Sequence, residues 1–463
     1  MKTNKVDPGS FRDPSGFVFV HDDSVFRQVN QFGKGDYELL MRSGLYDKLI
    51  DEGLLIPHKE VKIAPPKPDI AYKILQPERI QFISYPYEWC FSQLKQAGLT
   101  TLKIQRLALE SNISLKDCSA YNIQFHNSKA VLIDSLSFEA YKEGEPWTAY
   151  QQFCKHFLAP LALMAYKGIW INSLFRVHLD GIPLDLASKY LSGRSRLNPS
   201  ITMHIHLHAN VIKRYEDKTD KSSRNSHKMS KTSLLGLVES LQRAVEKMSL
   251  KPTTSEWSDY YQCTNYTQPG INAKSEHIKE LTNRLKPAAV WDIGANTGLF
   301  SQIPSKNGIN TIAFDSDPFA IELFYRDVVA RDDKYLLPLV MDITNPSPPL
   351  GWSNRERSSW IERGPVDLLM ALALIHHLSI GNNTPLESIA KLFSQLGHWL
   401  IIEYIPKHDS QVQRMLSFRK DIFHEYSQDS FERSFSEYFS IVEKKPITDS
   451  SRSIYLMKNE SLI

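Results

Sequence analysis

The stretch whose reading decides the fold runs from residue 288 to 298: Ala288-Ala-Val-Trp-Asp292-Ile-Gly294-Ala-Asn296-Thr-Gly298. A short apolar run stops at an acid and two glycines. Glycine at a strand-to-helix turn lets the backbone approach a ligand that a Cβ would hold off. Working outward, four more short apolar runs follow. Thr311–Phe314 ends at Asp315 and Leu336–Met341 ends at Asp342. Val366–Leu374 runs into His376-His377, and Trp399–Ile402 ends at Glu403. Helix-like stretches, Pro318–Val329 and Pro385–Leu396, lie between them. Short buried strands alternating with helices predict an α/β fold, a doubly wound Rossmann-like sheet with right-handed crossovers. Ser440–Lys444 and Ser453–Met457 predict a closing hairpin.

Three acids thus fall at three successive strand ends, in the crevice outside the carboxyl edge of such a sheet. Asp315, 23 residues after Asp292, is placed to accept both hydroxyls of an adenosine ribose. Asp342 is placed for an adenine amino group. The competing reading makes these glycines and acids ordinary turn and cap residues. The spacing DxGxxxG differs from the GxGxxG of nicotinamide and flavin binding. As a set, these motifs resemble the class I S-adenosylmethionine-dependent methyltransferases over roughly residues 255–463. The resemblance implies that Asp292, Gly294, Asn296 and Gly298 hold the methionine part of S-adenosylmethionine. It gives the ribose to Asp315 and the adenine to Asp342, with Ala371 at the fourth strand end completing the cofactor set.

Methyl transfer chiefly needs the acceptor held close to the methyl group and in line with it. A proton acceptor helps when the nucleophile is a hydroxyl or an ammonium. His376, His377 and Glu403 are the catalytic candidates. The alternative for the histidines is one helix cap and one packing residue. Trp257, Tyr260, Tyr261, Asn265 and Tyr266, followed by Lys274, read as a lid over the cofactor or as packing at the sheet edge.

The first half of the chain carries a different pattern. Gly16–Val20 and Ser24–Val29 predict a hairpin through His21-Asp22-Asp23, and Tyr37–Ile50 a helix. Residues 57–69, with four prolines, predict a loop. Tyr87–Ser111 and Gln151–Met164 predict helices, with a hairpin of Tyr121–Phe125 and Lys129–Asp134 between them. Asp117 and Asn122 stand at i and i+5, and Asp134 follows at the end of the hairpin. Phosphotransfer of the protein-kinase type needs an Asp at the acceptor hydroxyl, an Asn five residues on and a further Asp for metal. The segment resembles the protein-kinase-like fold, which implies an α+β kinase-like domain with Asp117, Asn122 and Asp134 as its candidate site, and ATP with magnesium as its ligand.

Several departures favour a domain that has lost or altered phosphotransfer. No glycine-rich loop lies in the first 60 residues. Leu115-Lys116 stand where the catalytic loop has His-Arg, and Ser135-Leu136 follow the metal acid. Arg27 takes the place of the usual Lys, with Glu38 as its expected partner, and Arg is a poor copy of Lys at a point-charge site. The chain also resembles a bacterial group of class I methyltransferases, some described as nodulation-protein-like, on Pro86-Tyr87-Glu88-Trp89, LKDCSAYNIQF, IDSLSFE and the run from Gln152 to Pro160.

Residues 216–232, EDKTDKSSRNSHKMSKT, hold almost nothing that could enter a core and read as a polar linker. Leu234, Val238, Leu241, Val245 and Met248 then form one helical stripe, expected to pack between the halves. The expected organisation is a kinase-like domain at 1–215, a linker and amphipathic helix at 216–252, and a methyltransferase domain at 253–463. Lys plus Arg number 55 and Asp plus Glu 52 in 463 residues, a balance that argues against a nucleic-acid clamp. Cysteines at 90, 118, 154 and 263 form no CxxC pair, which fits reduced thiols in a cytoplasmic protein. The N-terminus lacks the apolar core of a secretory signal, and no 18-residue apolar run predicts a membrane span. His204, His206 and His208 would share a face only on a strand, and with no acid or Cys beside them no metal site is assigned. The expected function is methyl transfer from S-adenosylmethionine to an unidentified acceptor, a small molecule, glycan or protein, that the kinase-like half helps recruit. The rivals are a bifunctional kinase and methyltransferase, and a cofactor-binding assembly module without turnover. The sequence names no oligomeric state.

Overall fold

The computed structural model describes residues 4–208, 229–250 and 266–462. Residues 216–228 of the expected linker, and Trp257, Tyr260, Tyr261 and Asn265 of the expected lid, lie outside the described residues. The chain divides into two compact units, one of residues 1–252 with Leu350–Arg357, the other of 253–349 with 358–463.

The second unit is built on seven strands: β10 (Ala289–Ile293), β11 (Asn310–Asp315), β12 (Leu336–Val340), β13 (Val366–Ala371), β14 (Gly397–Tyr404), β15 (Phe439–Pro446) and β16 (Ser453–Asn459). Their order in the sheet is β12-β11-β10-β13-β14-β16-β15. The first five are parallel, and β16 enters antiparallel between β14 and β15. Strand order reverses between β10 and β13, which opens the crevice where such sheets bind ligands. Both faces are covered, so the strands read as continuous apolar runs rather than alternating ones. On one face Val290, Leu368, Met370 and Ile401 pack with Ile278 and Leu281 of the helix Gln268–Leu285. On the other Trp291 stacks on Trp360 and meets the Phe314 ring edge-on. Strand β13 stops at Ala371 rather than Leu374, because Ala373 takes a left-handed φ of 52°.

The first unit opens with an antiparallel sheet of β1 (Lys5–Val6), β2 (Gly16–His21), β3 (Ser24–Asn30), β4 (His58–Val61) and β5 (Ala71–Pro77), in the order β1-β2-β3-β5-β4. The expected loop at 57–69 therefore contains a strand. β4 is short and its side chains are exposed or half-buried, so it carries little of the apolar signal that marks a strand. The single helix expected over Tyr37–Ile50 is two, Lys34–Arg42 and Leu45–Asp51, broken where Gly44 adopts φ 77°. Beyond the sheet lie the buried helix Phe91–Glu110 and two short antiparallel pairs, β6 (Ile113–Leu115) with β9 (Phe138–Ala140) and, between them in sequence, the hairpin of β7 (Ile123–His126) with β8 (Lys129–Leu132). This is an α+β arrangement, as expected. The helix Lys231–Lys247 belongs to the first unit. It lies on Phe91–Glu110 within the first unit, where Lys95 Nζ donates to the carbonyls of Glu246 and Met248 at 2.7 and 2.8 Å. Among the described residues no helix is long and apolar enough to cross a membrane.

Candidate functional site

A cavity of about 280 Å³ lies at the carboxyl ends of β10 to β13. The glycine turn forms one wall. Gly294 (φ 76°) and Ala295 both donate their backbone N–H to the Phe314 carbonyl, at 2.8 and 3.0 Å, which folds the turn against β11. Asp315 then accepts from the Asn296 N–H at 2.7 Å and the Asp317 N–H at 2.9 Å. These bonds fix its carboxylate at the cavity wall, and the Asn296 side chain in turn accepts from Thr297 N–H. Burial pushes the Asp315 carboxyl up to about 6, against the pull of those two N–H donors. Asp292 is buried, accepts from Ser301 Oγ at 2.6 Å, and is likewise pushed up to about 6 by burial. Asp342 lines the cavity beside Met341 and Ile343, its carboxylate turned back onto the N–H and hydroxyl of Thr344.

Gly298 serves a different purpose from Gly294. It has φ 80°, and a Cβ there would stand 1.8 Å from Phe324 Cζ. It is absent from the cavity wall and admits the helix Pro318–Ala330 against the turn. Ala371 is fully buried between Ile293 and Ile402 in the sheet, and the wall itself is Leu372, Ala373 and Leu374.

The catalytic candidates separate. His377 lines the cavity, whereas His376 is buried behind it with ring centroids 4.1 Å apart. Burial, with the charge of Arg452, pulls His377 down to about 4, and burial takes His376 well below the ordinary imidazole value. Both rings are neutral at pH 7. Glu403 does not reach the cavity. It is fully buried, 2.6 Å from Lys274 Nζ, accepts from the Tyr266 hydroxyl, and lies 3.7 Å from Arg452 Nη1. Burial alone would raise its pKa, and the Lys274 and Arg452 charges outweigh that and hold it below the usual carboxylate range. Arg452 is anchored in turn by Nε and Nη2 on Asp409, at 2.7 and 3.0 Å. Glu403 is thus the anchor that sets Tyr266 and Lys274, both cavity-lining, in place.

In the first unit, Asp117, Asn122 and Asp134 do come together. Asn122 Nδ2 donates to Asp117 Oδ2 at 3.0 Å, and Gln152 Nε2 to Asp117 Oδ1 at 2.8 Å. Burial raises the Asp117 carboxyl, and the Asp134 charge adds to the rise. Arg27 does not pair with Glu38. Its guanidinium donates to Asp134, with both side chains mostly buried, while Glu38 accepts from the Tyr72 hydroxyl and pairs with Arg42. The three histidines lie on a helical turn, not a strand. His204 bonds Tyr150 and Ser240, and His206 bonds Ser188 and Ser195.

No protein-family model matches the chain. The nodulation protein NoeA of Rhizobium meliloti (strain 1021) is 34% identical over 457 residues, 96% of this chain and 94% of that protein. The chain belongs to the NoeA family. Among solved structures, the bifunctional kinase-methyltransferase WbdD matches at 16% identity over 42% of this chain and 40% of that one, with a TM-score of 0.29. Magnesium protoporphyrin IX methyltransferase (ChlM) from Synechocystis PCC 6803 with bound SAH matches at 15% identity over 42% of this chain and 88% of that one, with a TM-score of 0.30.

The residues that sequence reading missed in this NoeA-family chain are Arg452 and Asp409, and the partnership of Lys274 with Glu403. Charges 129 residues apart in sequence carry no local sign of meeting. The one available signal was the lone Lys274 at a core-facing position of the helix Gln268–Leu285, three and four residues from Ile271 and Ile278.

Proposed function

We propose that this NoeA-family protein is an S-adenosylmethionine-dependent methyltransferase. The observation that carries the reading is the convergence of Asp292, Asp315 and Asp342 with the Gly294 turn on one cavity at the switch point of the sheet. The donor set fits the cofactor. Asp315, fixed from behind by two N–H groups, offers carboxylate lone pairs to a ribose diol, and Met341, Ile343 and Leu378 supply apolar faces for a purine. Lys274 and Tyr266 bring a cation and a ring to the methionine end. When bound, the cofactor supplies a methyl group activated by its sulfonium.

The chain's own part is to bind, orient and take a proton. His377, neutral at pH 7 and on the wall, is the group we assign to receive the acceptor's proton. Gly294, Ala295 and Asn296 hold the cofactor through backbone, and Ala371 acts indirectly by fixing the wall strand. The kinase-like unit is assigned acceptor recruitment rather than phosphotransfer, because Arg27 neutralises Asp134. We place the protein in the cytoplasm, in keeping with the free, buried Cys90, Cys118 and Cys154. Calorimetric titration of the purified protein with S-adenosylhomocysteine, and separately with ATP plus magnesium, tests the reading. Binding of the first alone supports it, binding of both restores the bifunctional rival, and no binding of S-adenosylhomocysteine refutes it.

A further inference from the structure

The eight residues Leu350–Arg357 belong to the first unit although the sequence places them between β12 and β13. They form a tight hairpin. Leu350 and Arg357 exchange N–H to carbonyl bonds at 3.0 and 3.1 Å, and Gly351 turns the chain at φ 82°. Two contacts hold it. Arg12, in the connection between β1 and β2, donates Nε and Nη2 to Glu356 Oε1 at 3.1 and 2.7 Å. The Glu356 side chain is 5% exposed and that of Arg12 62%, so the carboxylate is seated while the guanidinium reaches it from the surface. On the opposite side the Arg357 guanidinium lies 4.1 Å over the ring of Tyr121, inside the Asp117–Asn122 turn. The hairpin also lies close to Gly9, where a Cβ would meet the Glu356 carbonyl at 2.5 Å.

In phosphotransferases of this architecture, the first connection of the sheet covers the nucleotide phosphates and the Asp-to-Asn turn faces them. The hairpin touches both. We infer that Leu350–Arg357 is a resident occupant of the first unit's cleft, clasped by Arg12 and seated on Tyr121, and that it keeps nucleotide out of that cleft. A ligand that must displace an occupant present 99% of the time binds about 100-fold more weakly than it would to the open form. The cleft would then be a receptor for the chain's own hairpin.

The experiment uses the full-length protein and two variants, R12A/R357A to release the hairpin and the charge swap R12E/E356R to restore the clasp with inverted signs. Hydrogen exchange over residues 350–357 reads release, and fluorescence titration with trinitrophenyl-ATP and magnesium reads access. The inference expects R12A/R357A to exchange at least tenfold faster over the hairpin and to bind the nucleotide at least tenfold more tightly than the native protein. The charge swap is expected to return both readings to within threefold of native. Unchanged exchange in R12A/R357A overturns the clasp. A released hairpin without a gain in nucleotide binding, including no binding to either form, overturns the occlusion.

Discussion

Lys274 Nζ lies 2.6 Å from Glu403 Oε2, and both side chains are closed to solvent, at 2% and 0% exposure. Neither charge has water to fall back on: Lys274 depends on Glu403, which Arg452 and the Tyr266 hydroxyl also hold. Burial pulls the Lys274 ammonium below its usual value, and Glu403 opposes that pull. Breaking such a pair from one side strands a buried charge, at a cost of about 3–5 kcal/mol. Lys274→Met should therefore lower unfolding stability in urea by about that amount. Lys274→Met with Glu403→Gln should cost less than the sum of the two single changes. A loss below about 1 kcal/mol for Lys274→Met would mean the pair does not form.

The raised carboxyl groups of Asp315 and Asp292 give cofactor binding a definite pH dependence. Each titrates near 6 in the folded chain, against 3.8 as the ordinary value. The protonated form is favoured in the fold, so their contribution to stability is most favourable below 3.8 and is lost as pH rises through 6. Ribose hydroxyls donate to the ionised form. Affinity for S-adenosylhomocysteine should rise with pH between 5 and about 6.5 and level off above it. Thermal stabilisation by the ligand should grow over the same interval. Asp315→Asn should weaken binding by at least about 50-fold, equivalent to one lost charge-assisted pair of hydrogen bonds. Calorimetry from pH 5 to 8 measures both, and a flat profile would remove Asp315 from the ribose.

The parallel sheet was legible because its strands are buried on both faces and end at acids and glycines, so Ala289–Ile293 and Asn310–Asp315 announce themselves in the sequence. The half-exposed β4 and the break at Gly44 were not legible, since neither interrupts or supplies an apolar period. At the cavity, local motifs pointed to Asp292, Gly294 and Asp315, which line it. What they could not give is direction. Glu403 ends its strand as Asp315 does, yet it faces Lys274 and Arg452 beneath the cavity, because cations from distant segments are buried there. Arg27 likewise reads as a partner for the nearby Glu38, and only the closure of two hairpins brings it to Asp134.

That closure gives a test in the first unit. Arg27 and Asp134 are 16% and 13% exposed, so each shields the other from an unpaired, half-dry charge. Asp134 also accepts from the Leu136 N–H at 2.8 Å and so holds the turn that follows β8. Asp134→Asn should cost about 1–3 kcal/mol in urea unfolding, the usual loss on leaving a buried charged group without its partner. A double-mutant cycle of Arg27→Ala with Asp134→Ala should show coupling above about 1 kcal/mol. S-adenosylhomocysteine affinity should stay within about twofold in Asp134→Asn, since the cavity proposed for it is lined wholly by the other unit. Additive losses in the cycle would refute the pairing.

Gly298 offers the sharpest separation of a packing role from a binding one. A methyl group placed there would lie 1.8 to 2.4 Å from three ring atoms of Phe324, and the backbone sits at φ 80°. Two penalties therefore combine in Gly298→Ala. One is the left-handed conformation, about 1 kcal/mol for a residue with a Cβ, and the other is the overlap with a buried ring, about 1–3 kcal/mol. Shortening the ring in Gly298→Ala with Phe324→Leu should recover stability relative to Gly298→Ala alone, although Phe324→Leu by itself destabilises. The conformational part should persist, because no change at 324 alters φ at 298. If Gly298 instead contacted the cofactor, the double variant would regain stability but not ligand affinity. The cavity wall excludes Gly298, so S-adenosylhomocysteine affinity should return along with stability, to within about threefold of the native protein.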